Sequence, residues 1–106
     1  MTTDGTAVLD ANDIAYLESS RNYITVHLTR GTSYTVRKTL TDFEQELWGL
    51  DFYRIHSAYM INLEHVEKVL NTGFVLVANK AIPIAQRRMQ DFKKTYMSYI
   101  RRSFGT

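Results

Sequence analysis

Residues 22–38 read NYITVHLTRGTSYTVRK, and their alternation decides the fold class. Tyr23, Thr25 and His27 fall on one face, and Ile24, Val26 and Leu28 on the other. A period of two is that of a half-buried strand. SYTVRK alternates again with β-branched residues, and RGTS between the two runs supplies Gly31 for a tight turn. Residues 23–29 and 33–38 are therefore expected to form a β-hairpin. Upstream, MTTDGT (residues 1–6) is polar and expected to be a disordered tail. Val8–Leu9 suits a short strand, and DAND (residues 10–13) suits a turn, because Asp and Asn close local hydrogen bonds with their own side chains.

Downstream the period changes. In TLTDFEQELWG (residues 39–49), Thr41 and Glu44 match a capping box, and Phe43 and Leu47 share a helical face. Gly49 is placed to end the helix, so one short helix is expected over 41–48. YMINLEHVEKVL (residues 59–70) is ambiguous. Tyr59, Leu63, Val66 and Leu70 have helical spacing, yet many of its residues suit strands. FVLVA (residues 74–78) reads as a buried strand, NK (residues 79–80) as a turn and AIPIA (residues 81–85) as a second short strand. Pro83 puts that strand at a sheet edge or leaves its position unpaired. QRRMQDFKKTYMSYI (residues 86–100) reads as a helix with Met89, Phe92 and Tyr96 on its apolar face. Successive hairpins without long crossovers point to antiparallel sheet.

At 106 residues and 44% hydrophobic content, the chain suits one domain with a real core, expected over residues 7–106. It has no cysteine, so neither a disulfide framework nor thiolate chemistry is open to it. No apolar run reaches membrane-spanning length and no secretory leader is apparent, so a cytoplasmic location without membrane contact is expected. The net charge of +2 is unevenly spread. Residues 1–50 carry four Lys/Arg against seven acids, and residues 51–106 carry nine against four. A basic half suits an anionic partner, nucleic acid first, although surface cations also serve solubility alone.

Catalytic patterns are missing. His27, His56 and His65 form no metal-ligand pair at helical spacing, so no metal site is expected. There is no GxSxG and no glycine-rich phosphate loop, and Ser57 and His56, as strand neighbours, point apart. No catalytic residue and no cofactor is assigned, and an enzyme is not expected. Polar clusters instead fall at the junctions of elements: SSRNY (residues 19–23), RIHS (54–57) and NKAIPIAQRR (79–88). Arg can grip phosphate or a guanine edge with two parallel bonds, Asn can pair with adenine, and Ser suits phosphate oxygens. Each cluster taken singly also suits an ordinary polar loop.

The order of these pieces resembles the LytTR family of bacterial DNA-binding domains. DIAYLESSRNYITVHL, RKTLTDFEQEL, FYRIHSAYMINLEHVEKV and NKAIPIAQRRMQDFK follow one another across residues 12–94. FYRIHSAYMIN is similar to the family's F-x-R-x-H-[RK]-S-[YF]-[ILV]-[VI]-N, and IPIAQRR to its I-P-[VI]-S-R-R. The resemblance implies a mostly β fold: an elongated stack of small antiparallel sheets with a few short helices. It further implies that loops, rather than a recognition helix, enter the major groove of double-stranded DNA. Carried over by position, Asn22, Ser57 and Arg87 would read bases. Arg21, Arg54, His56, Lys80 and Arg88 would touch the DNA backbone or orient the loops. Departures are Ser57 for the family's basic residue, Ala58 for its serine, and Ala85–Gln86 before the arginine pair. The implied role is transcription regulation in a two-component system, with a receiver domain in a longer chain and dimers on direct repeats. The other reading is a protein-interaction module that kept the fold and lost base reading.

Overall fold

The structure, a computed structural model, describes residues 10–104. The expected tail and the expected strand at Val8–Leu9 lie outside them. A turn at Ala11–Asp13, capped by the Asp10 carboxylate on the Asn12 amide, leads into β1 (Ile14–Ser20). The hairpin of residues 22–38 forms as β2 (Tyr23–Leu28) and β3 (Ser33–Val36). Ile24, Val26 and Leu28 are buried as the alternation requires, and Gly31 turns the chain at φ 94°.

β3 stops two residues short of its expected end because Thr39 opens α1 (Leu40–Glu46). The capping box is real but lies earlier than the sequence suggested. Thr39 Oγ1 accepts from the Asp42 amide, and the Asp42 carboxylate accepts from the Thr39 amide. This register buries Leu40 and Phe43 together on one side and leaves Glu44 outside the cap.

The ambiguous segment resolves into three pieces: β5 (Tyr59–Asn62), a 3-10 turn at Leu63–His65, and β6 (Val66–Leu70). Its helical spacing yields no helix because Asn62 makes a corner. The buried Asn62 amide donates to the Ile14 carbonyl at 2.9 Å, and its oxygen accepts from the Glu64 amide at 3.0 Å. β4 (Phe52–His56) precedes it, and β7 (Phe74–Val77), β8 (Lys80–Pro83) and α2 (Met89–Ser103) follow. The turn before β8 is Ala78–Asn79, at φ 50° and 62°, so Lys80 is a strand residue rather than a turn residue. Pro83 does lie on an edge strand.

Five strands form one antiparallel sheet in the order β3-β2-β1-β5-β4, and three form another in the order β6-β7-β8. The large sheet is covered on both sides at its centre. Leu17, Ile24, Val26 and Met60 pack with Leu40 and Phe43 of α1. Ala15, Tyr16 and Ile61 pack with Val75, Val77 and Ile82 of the small sheet and with Phe92 of α2. Ile14 and Leu17 share a side despite being three apart, because a bulge between Ile14 and Tyr16 resets the alternation. The molecule measures 41 × 31 × 25 Å, an elongated stack of mostly β layers as expected.

Candidate nucleic-acid interface

Strand register brings the first two polar clusters to one end of the large sheet, and a backbone hydrogen bond adds the last residues of the third. Ser20 pairs with Tyr23, so Arg21 and Asn22 form the tip of the β1–β2 hairpin. Glu18 pairs with Thr25 on one side and Tyr59 on the other, which sets the β4–β5 turn, Ser57–Ala58, beside that tip. The Ser19 amide donates to the Ala58 carbonyl at 2.8 Å and joins the two turns. The Ala85 amide donates to the Ile55 carbonyl at 2.9 Å, so the 3-10 turn Gln86–Arg88 starts against β4, just before Ser57. Asn22, Ser57 and Arg87 are all exposed there.

Lys80 is not part of this group. It opens β8 from the other end of the β7–β8 hairpin, and its neighbour Ala78 lines a depression with Thr29 and His65, far from the Arg21 tip. Arg88 is close to the group but half-buried beside Tyr53, whereas Arg87 points outward without an ion-pair partner among the described residues.

Arg54 and His56 both work on the backbone of the Ser57 turn. Arg54 Nη2 donates to the Ser57 carbonyl at 3.3 Å, and Nη1 donates to Glu44 Oε1 at 3.2 Å. The Ala58 amide donates to His56 Nδ1 at 3.1 Å, which places the proton of the neutral ring on Nε2. On a regular strand, residues two apart share a face. Here a register shift between Arg54 and His56 separates them. Arg54 pairs with Met60 on the α1 side, while His56 pairs with Tyr59 on the other side and meets its ring edge-on at 5.8 Å. The turn is thus clasped from both faces of the sheet.

Three supports of this end were not assigned from the sequence. Glu44 holds Arg54, though its placement in the capping box had given it another task. Glu18 accepts from the Tyr59 hydroxyl at 3.3 Å and meets His27 at 3.0 Å, behind the hairpin tip. Burial, with the Glu18 charge and hydrogen bond adding to it, pushes the Tyr59 phenol up. Finally, the Tyr53 hydroxyl donates to Asp91 at 2.7 Å, tying β4 to the first turn of α2 just past Arg87. Its pKa is pushed up to about 12, mainly by burial and then by Asp91, with Arg88 pulling the other way. None of these carboxylates stands in a pair suited to acid–base work, and among the described residues no cluster could hold a metal ion. The arrangement offers hydrogen-bond donors and positive charge on short rigid turns, which suits an extended anion with readable edges.

A family model described as the LytTr DNA-binding domain matches residues 4–97. The sensory transduction protein LytT of Bacillus subtilis is 28% identical over 92 residues, covering 82% of this chain and 38% of that protein. The transcriptional regulatory protein YpdB of Escherichia coli is 25% identical over 93 residues, covering 82% of this chain and again 38% of the relative. The chain therefore spans well under half the length of these curated relatives. Among solved structures, the LytTr DNA-binding domain of a methyl-accepting/DNA response regulator from Bacillus cereus superposes with a TM-score of 0.73 at 23% identity, covering 90% of this chain and 91% of that one.

Proposed function

The chain belongs to the LytTr DNA-binding domain family, and from that premise we propose that it binds double-stranded DNA sequence-specifically through loops in the major groove. Asn22, Ser57 and Arg87 read bases. Arg21 lies beside them and faces the sugar-phosphate backbone, Arg88 supports the third loop from its place beside Tyr53, and Arg54 and His56 orient the Ser57 turn. The observation that carries this reading is the convergence of three loops from distant parts of the chain on one end of one sheet. Arg87 suits a guanine edge by its two parallel donors, and Asn22 suits adenine. Ser57 is short, so it contributes only where its turn comes close to the duplex. Lys80 contributes no contact in this arrangement, because its hairpin end lies away from the three loops.

The domain acts as the output part of a transcription regulator in the cytoplasm. The greater length of its relatives leaves room for a receiver domain in a longer chain, which would bring two copies onto direct repeats. No helix among the described residues is long and apolar enough to cross a membrane.

The test is selection of bound duplexes from a randomised pool at near-physiological salt. A motif should be enriched by the wild type and lost in Arg87→Ala. Affinity for the enriched duplex should fall steeply with salt, because phosphate contacts release counterions. Well-folded protein that retains no duplex would sink the proposal.

A further inference from the structure

Arg54 occupies an unusual position for an arginine near a nucleic-acid surface, because it is turned inward. Only 23% of its side chain is exposed, and its Nε is buried without a partner. A free arginine at this rim would extend into solvent, since its long side chain loses much rotamer freedom when held. The group that holds it is Glu44. The guanidinium is a rigid planar fork, so fixing Nη1 on Glu44 also fixes the direction of Nη2. Nη2 then meets the Ser57 carbonyl. Glu44 itself stands on a fixed base. Its helix is pinned by the Thr39–Asp42 cap at its start, and by Leu40 and Phe43 beneath it.

We propose that Glu44 is a positioning residue for the Ser57 turn: its ion pair with Arg54 sets the pose of that turn from α1, on the sheet face opposite His56. The inference rests on the DNA-binding reading for what the turn does, and on geometry alone for how it is held. Ser57 has a short side chain, so the backbone pose of its turn decides whether its hydroxyl meets a partner at all. Loss of Glu44 frees Arg54 to swing outward, where it can take a phosphate without regard to sequence. The expected signature is therefore lost discrimination with retained, or steeper, salt dependence.

Two readouts test this. The first needs no DNA: amide hydrogen exchange of Ala58, whose N–H is held by His56, against Ile61 in the buried middle of β5. Glu44→Ala should speed exchange at Ala58 by about fivefold or more, the factor of one hydrogen bond, and leave Ile61 unchanged. The second compares a duplex enriched by the wild type with a scrambled duplex of the same composition. Glu44→Ala should narrow the preference between them about fivefold and leave the salt slope no shallower. Glu44→Gln keeps an oxygen acceptor for Arg54 and should recover much of both. Unchanged exchange at Ala58, or an equal loss of affinity for both duplexes, overturns the proposal. Faster exchange at Ala58 in a domain whose wild type retains no duplex would support Glu44 as the anchor of the turn and overturn the DNA-binding reading instead.

Discussion

The β1–β2 tip and the β4–β5 turn sit side by side at one end of the same sheet, yet they are held in opposite ways. Among the described residues, no side chain bonds to the backbone of Arg21 or Asn22, and Arg21 carries a φ of 58°. That conformation costs a non-glycine residue roughly 1–2 kcal/mol. The Ser57 turn has no such strain. It is fixed from outside, by Arg54 on one face, His56 on the other and the Ser19 amide from the neighbouring strand. The tip with long, reaching side chains has a self-contained backbone, and the turn with a short side chain has a braced one. Reach and precision are divided between them. A long arginine tolerates a loose base, whereas a serine contributes only where its backbone is placed accurately.

The largest disturbance should come from the far end of the strands that carry both turns. Asn62→Ala leaves the Ile14 carbonyl and the Glu64 amide without their buried partner. The expected loss is about 3 kcal/mol, a Tm lower by more than about 10 °C for a domain of this size. Urea unfolding measures it. A loss under about 1 kcal/mol would mean that the corner is held by packing of Leu63 rather than by the amide.

His56→Ala should separate the turns. It removes the acceptor for the Ala58 amide and should cost about 1 kcal/mol of stability, a net hydrogen bond. DNA binding should weaken by more than that, because the turn loses one of its clasps. A large drop in Tm with no specific effect on binding would assign His56 to the fold alone. Arg21→Gly works in the other direction. Glycine relieves the strained φ and should raise stability by up to about 1 kcal/mol, while affinity for the duplex falls with the missing cation. If Tm falls instead, Arg21 is supported by packing and the tip is not self-contained.

The hairpin 22–38, the edge position of Pro83 and the C-terminal helix were legible in the sequence because each is local: alternation, a missing N–H and a 3.6-residue period. The capping box was misplaced because Thr39/Asp42 and Thr41/Glu44 offer the same spacing, and only burial of Leu40 with Phe43 chooses between them. The segment 59–70 was not legible because its corner depends on Asn62 reaching Ile14, far away in sequence. The three candidate loops stand out in the sequence as polar clusters, and their resemblance to one family gave their order. Their supports were not visible. Glu44, Glu18 and Asp91 act through partners 9 to 41 residues distant, and a bulge at Arg54–His56 overturns the face that strand alternation assigns.

The smallest effect belongs to the third loop, which lies between the two extremes. Arg87 is exposed like Arg21, but its turn runs into a helix that Tyr53 ties to β4 through Asp91. Tyr53→Phe removes that tie at a partly exposed site, so neutral-pH stability should fall by no more than about 1 kcal/mol. The clearer sign is alkaline. The Tyr53 phenol is raised from 10.0 to about 12 in the folded chain, so between those values the unfolded chain has lost a proton that the folded chain keeps. Stability therefore falls as pH rises through that window and is unaffected by this group below it. Tyr53→Phe should flatten the fall in urea-unfolding free energy across the window. It should not abolish it, because the Tyr16, Tyr59 and Tyr96 phenols are also raised. An unchanged slope would mean that Tyr53 meets water in the folded domain. Arg87 would then stand on a loop as unbraced as the Arg21 tip, and the Ser57 turn alone would be held from outside.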